Sequence, residues 1–223
     1  GESYLIVETG KTSPVIPQAA AFTFPSTLDL RVKMAADDWS SAAANTVICG
    51  RENGAGQRSW WFQANSAGYL QMVVSSDGTA LVTIASTIPA SLVDGATAWV
   101  RCVYNPDDGA GNRVTKFYTS ADGQAWTQLG ATVTTAGVLV PFNPTNAPLS
   151  IGGRAGASGL LGRIYEVWML DGENGPTMAP VLPSLWSWTT STPRMTLAGA
   201  PVVTLVNGSH PGSGLSYLGD ATR

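Results

Sequence analysis

Ser75-Ser76-Asp77-Gly78-Thr79 and Ser120-Ala121-Asp122-Gly123, the latter followed by Trp126, are two copies of one phrase: a strand end, then Ser-x-Asp-Gly, then a further strand. Asp-Gly between alternating apolar runs is a strong local hairpin signal, because glycine accepts the positive φ that a tight turn requires. The two turns imply antiparallel sheet and set the phase of the segments around them. Upstream, residues 27–34 alternate cleanly, with Leu28, Leu30, Val32 and Met34 on one side and Asp29, Arg31 and Lys33 on the other. Strands are also expected at 46–49, 59–63, 69–74, 81–85, 98–104, 113–119, 126–129, 149–152 and 162–170. Residues 141–148 read as irregular, held by prolines. No long run shows helical periodicity. Many short strands with evenly spaced turns indicate a two-sheet sandwich or barrel.

Composition narrows the class. Of 223 residues, 44% are hydrophobic and only 12% charged, with 25 Gly and 14 Pro. A net charge of -3 with no basic stripe argues against nucleic acid. No apolar run is long enough to insert into a membrane. The start, Gly1-Glu2-Ser3, is no signal peptide and lacks an initiator Met, which suggests a piece cut from a longer chain. Cys49 and Cys102 sit in apolar runs and read as buried reduced thiols; a disulfide would need the two strands to be neighbours. After Asp171-Gly172 the text becomes Pro-rich, so residues 1–175 are expected to form the main domain and 176–223 an extension.

Catalytic chemistry is weakly represented. A glycosidase needs two carboxylates facing one bond. The acidic strand residues are Asp29 and Glu166, with Asp171 beyond, and no strand carries two at alternate positions. The single histidine, His210, adjoins Ser209, and neighbours in a loop do not make a nucleophile and base. Asn105, Asp107, Asp108 and Asn112 offer oxygens in one loop bent by Gly109 and Gly111, so Asp107, Asp108 and Asn112 are the candidate calcium ligands; the same residues also favour ordinary turns. Calcium is the one candidate cofactor.

For binding, the informative segment is Ser59-Trp60-Trp61-Phe62-Gln63. Alternation sends Trp60 and Phe62 inward, and Trp61 and Gln63 outward beside Gln71 and Val73. Sugars stack on aromatic faces, so Trp61, Gln63 and Gln71 form a candidate glycan platform. Two other readings stand beside it: Trp61 covered by the C-terminal extension, or Trp61 in a subunit contact. Trp39, Trp168, Trp186 and Trp188 raise the same question, whereas Trp60 and Trp99 are assigned to the core. Trp126 is expected to pack beneath its turn, in the manner of a shortened Asp-box.

The run Trp99-Val100-Arg101-Cys102-Val103-Tyr104, the loop 107–112, the segment 117–123 with Trp126, and Ile151-Gly152-Gly153 followed by residues 162–167 resemble the concanavalin A-like, laminin-G-like jelly rolls of actinobacteriophage minor tail proteins. The resemblance spans residues 28–171. It implies an all-β jelly roll of two antiparallel sheets, and a non-enzymatic, lectin-like module in a phage virion. The expected partners are bacterial surface carbohydrate and other virion proteins, in a homo-oligomer or multicopy assembly. A purely structural virion subunit is the alternative. A third reading comes from residues 203–212, which are similar to one block of SGNH-type hydrolases: an accessory domain of such an enzyme.

Overall fold

A computed structural model describes residues 4–7, 15–18, 24, 26–40, 45–154 and 157–176, together with strand segments 186–189, 194–197 and 203–204. Every element among them is a strand. In chain order these are β1 (Leu5–Val7), β2 (Val15–Ile16), β3 (Leu28–Ala36), β4 (Thr46–Glu52), β5 (Arg58–Ala64), β6 (Leu70–Val74), β7 (Val82–Ala85), β8 (Ala98–Asn105), β9 (Asn112–Ser120), β10 (Thr127–Gln128), β11 (Val133–Ala136), β12 (Leu149–Ile151), β13 (Gly153–Arg154), β14 (Ala157–Ser158), β15 (Gly162–Asp171), β16 (Trp186–Thr189), β17 (Arg194–Leu197) and β18 (Val203–Thr204). One seven-stranded sheet runs β1-β15-β3-β8-β9-β10, with β11 also on β9; a six-stranded sheet runs β2-β12-β4-β5-β6-β7. All pairings between named strands are antiparallel. The expected loop at Ser209–His210 lies outside the described residues.

The core sits between the two sheets. Leu28, Leu30, Val32 and Met34 of β3 are all buried in it, as their alternation requires, and meet Ile48, Trp60, Phe62, Leu70 and Met72 of the other sheet. Phe62 stacks on Phe117 across the gap, with centroids 6.5 Å apart. Two bulges adjust the phase. In β4 the register skips Ile48 between Val47 and Cys49, so both Ile48 and Cys49 reach the core. In β15 it skips Tyr165, after which Val167 and Met169 face inward while Glu166 and Trp168 face out. Both cysteines are buried and unbridged, and burial pushes both thiols well above their usual value.

The twin phrases fold into twin turns. Val74 pairs with Val82 and Thr119 with Thr127, so loops 75–81 and 120–126 have equal length. In the first, Asp77 Oδ1 accepts from Ser75 Oγ at 3.1 Å and from the N–H groups of Thr79 and Ala80 at 2.7 and 2.8 Å. In the second, Asp122 Oδ1 accepts from Ser120 Oγ at 3.0 Å and from Gln124 and Ala125 N–H at 2.8 and 2.9 Å. Gly78 and Gly123 take φ of 82° and 75°. These are longer loops than the two-residue hairpin turn that Asp-Gly suggests, because the aspartate closes the loop through its own side chain.

Loop 141–148 differs from expectation in its anchor. Beside the prolines, buried Arg51 holds it, donating to Asn143 Oδ1 at 2.7 Å, to the Pro144 carbonyl at 3.0 Å, and to Gln18 Oε1.

Candidate functional site

The double-Trp segment follows its predicted phase. Trp61 and Gln63 project from the outer face of β5, paired with Val73 and Gln71. The three expected residues are joined: Trp61 Nε1 donates to Gln63 Oε1 at 2.9 Å, and Gln63 Nε2 donates to Gln71 Oε1 at 2.7 Å. The expected open ring is absent, however. Trp61 is 3% exposed and packs with Val47 and Val73 in a small apolar cluster apart from the core. The Arg154 guanidinium, at the end of β13, lies 4.9 Å from its ring centroid and is steered there by Glu52, 3.7 Å from Arg154 Nε. Alternation fixes which side an indole takes, and a later segment of chain decides whether that side stays open. Trp39 is likewise buried.

The acidic loop is bonded to itself. Asp108 Oδ1 accepts from Ala110 and Asn112 N–H at 2.8 and 3.0 Å, and its Oδ2 accepts from Asn112 Nδ2 at 3.0 Å. Asp107 Oδ1 accepts from Gly109 N–H at 2.9 Å. These bonds close the turn through the Asp107 and Asp108 side chains. Among the described residues no group of three or more His, Cys, Asp or Glu is placed to hold a metal.

A richer constellation lies on the outer face of the seven-stranded sheet. The alternation that sends Leu28 and Leu30 inward presents Asp29, Arg31 and Lys33 on that face, and register places Arg31 beside Arg101 and Arg101 beside Tyr118. Asp29, fully buried, accepts from Arg101 Nε and Nη2 at 2.8 and 2.7 Å, from Arg31 Nε and Nη2 at 3.2 and 2.7 Å, and from Asn174 N–H at 3.0 Å. Asn174 Oδ1 in turn accepts from Nη2 of both arginines, at 2.6 and 3.0 Å. Half-buried aromatic rings flank the guanidiniums: Arg101 lies 4.8 Å from the Tyr118 centroid, and Arg101 and Arg31 lie 5.4 and 5.7 Å from that of Trp126. Lys116 and Glu173 pair at 2.8 Å at the rim.

Two assignments from sequence change here. Trp99 is buried but stands on this outer face, across from Lys33 and Ser120. It is Trp99, not Trp126, that underlies the turn: a Cβ on Gly123 would meet its ring at 2.6 Å. Trp126 packs edge-on to Trp99 at 6.2 Å and reaches over the arginines. Arg101 was legible as a charge inside an apolar strand. Asn174 had no signal, since its position depends on the path of the chain after β15.

Among the described residues, the strand carboxylates Asp29 and Glu166 are each held by their own separate partners. Burial alone would raise the Asp29 pKa, but the bonds from Arg31, Arg101 and Asn174 outweigh it and hold the group below the ordinary value. Glu166 Oε2 accepts from Trp168 Nε1 at 2.9 Å. Asp77, Asp108 and Asp122 are also lowered, through bonds led by Thr79 N–H, the Asn112 side chain and Gln124 N–H. Depressed carboxylates bind protons more tightly when unfolded, so their stabilisation is complete above about pH 4 and is lost as pH falls through the folded values. The melting temperature is therefore expected to be flat above about pH 5 and to fall steadily below about pH 4. A melting temperature unchanged down to about pH 2.5 would contradict this.

No family model matches the chain, and no curated protein matches it. Several solved structures do. The CBM40 domain of Ruminococcus gnavus IT-sialidase, bound to alpha2,3 sialyllactose, superposes with a TM-score of 0.54 at 14% identity, covering 77% of this chain and 90% of that one. The same domain bound to alpha2,6 sialyllactose gives 0.52 at 15% identity, covering 77% and 91%. Mouse laminin alpha1 domains LG4-5 give 0.49 at 17% identity, covering 82% and 46%. At these identities the likeness establishes the architecture, and the chain is an all-β jelly roll of two antiparallel sheets.

Proposed function

We propose that the chain is a non-catalytic saccharide-binding module whose platform is the outer face of the seven-stranded sheet. The observation that carries this reading is the pair of half-buried rings, Trp126 and Tyr118, fixed by two arginines that are themselves anchored on buried Asp29. Rigid aromatic faces beside fixed hydrogen-bond donors suit a sugar, whose apolar C–H side stacks while its hydroxyls bond. The structurally similar sialidase modules, whose structures hold sialyllactose, support the class of ligand. The sequence resemblance supports a setting on a phage virion facing a bacterial surface, where many copies would offset weak single-site affinity.

The second address is Trp61, Gln63 and Gln71, which are already linked in one hydrogen-bonded row. It requires Arg154 to leave the indole. A glycan array probed with the intact chain, Trp126→Ala and Trp61→Ala separates the two. Binding reduced at least about tenfold by Trp126→Ala (about 1.4 kcal/mol) and kept by Trp61→Ala is the expected result. The reverse pattern moves the site to the double-Trp face. Binding of no glycan would leave the structural virion subunit as the better reading.

A further inference from the structure

Resting on that reading, the geometry points to the ligand class: we propose that the platform takes an acidic saccharide, whose carboxylate replaces Asn174 Oδ1 between Arg31 and Arg101. The cluster holds two guanidinium charges against one carboxylate, Asp29. The nearby Lys116 is balanced by Glu173. One positive charge therefore stays uncompensated within the Asp29 cluster, on a chain whose net charge is -3.

The group that now completes the fork is neutral. Asn174 Oδ1 sits 2.6 Å from Arg31 Nη2 and 3.0 Å from Arg101 Nη2. It reaches that point from an exposed loop residue at φ 59°, a left-handed conformation that costs a little energy. An amide oxygen there makes ordinary hydrogen bonds. A carboxylate makes charge-assisted ones, roughly twice as strong, and matches the planar guanidinium in shape. The Nη1 groups of both arginines take no part in the bonds to Asp29 and Asn174, so a second carboxylate oxygen has donors to meet. The side chain of Arg31 is 20% exposed and that of Arg101 5%, so Arg31 is the arginine a ligand reaches first. The Trp126 and Tyr118 rings beside them would carry the body of the sugar. The Asn174 N–H would keep its bond to Asp29, so only a side chain needs to swing out.

Calorimetry of the full chain with methyl β-glucuronide against methyl β-glucoside, and with the corresponding galacturonide against galactoside, tests this. Each pair differs only in the carboxylate. In at least one pair the acid is expected to bind about tenfold tighter or more, with affinity falling as salt rises. Arg31→Gln should bring the two members of that pair within about twofold. Asn174→Gly, which suits the observed φ, should tighten the acid about threefold by removing the internal acceptor. Circular dichroism of each variant confirms folding, and Asn174→Gly keeps the proposal testable should Arg31→Gln not fold. Equal binding of acid and neutral sugars overturns the proposal. So does an acid preference that survives Arg31→Gln, or acetate alone competing as well as the uronide. If neutral sugars bind on Trp126 and acidic ones show no advantage, the saccharide-module reading stands and this one falls. If no sugar of either kind binds, both fall.

Discussion

Replacing Asp29 by alanine is expected to destabilise the protein by about 3–5 kcal/mol, the range for stranding one member of a buried ion pair. Asp29 is inaccessible to solvent and accepts five hydrogen bonds, four of them from Arg31 and Arg101. Removing it leaves Arg101, with a side chain only 5% exposed, beside Arg31 with no counter-charge between them. Two like charges then face each other in a partly desolvated place. Asn174 loses the acceptor for its N–H as well, so the loop after β15 loosens. Urea denaturation measures the loss. A double-mutant cycle identifies its origin: Asp29→Ala combined with Arg101→Ala should cost clearly less than the two single changes summed, because the stranded charge is gone. A single-variant loss below about 1 kcal/mol would show that the cluster is ornamental to the fold.

Trp60→Ala should cost about 3–5 kcal/mol and Trp61→Ala less, about 1–3 kcal/mol, although the residues are adjacent and both buried. Trp60 stands in the main core between two packed sheets, with Phe62, Leu70 and Met72 in the same cluster. A cavity there cannot collapse without moving backbone. Trp61 is roofed by the Arg154 side chain, which is 39% exposed and can follow the surface inward. Its buried apolar partners are Val47 and Val73 of its small cluster, with Gln63 bonded to its Nε1. Chemical denaturation of the two variants under one condition makes the comparison. Equal losses would mean that the outer face of the six-stranded sheet is as rigidly packed as the core.

That pair of residues also marks how far the amino-acid sequence can be read. Period-two alternation in β3 and β5 decided which side chains enter the core, and it held residue by residue from Leu28 to Met34 and from Trp60 to Gln63. The Asp-Gly phrases located two hairpins because their closing bonds are all local. The strand β11 was not foreseen, since Val133-Thr134-Thr135-Ala136 is short, small-chained and half exposed. The candidate platform was half legible. Asp29, Arg31 and Lys33 were correctly sent to one face, yet their clustering with Arg101 and Tyr118 depends on strand register, and Asn174 arrives from the far end of the domain. The cover on Trp61 was invisible for the same reason, because Arg154 is distant in sequence.

The matched turns at 75–81 and 120–126 bear on how the chain first finds this architecture. Several of its pairings are remote: β1 must meet β15, and β2 must meet β12, after most of the polypeptide has been made. Such closures are slow, whereas a hairpin forms in about 1–10 μs. One self-closing turn lies in each sheet, so each layer starts with its own zipped corner, and neither has to wait for the other to begin growing.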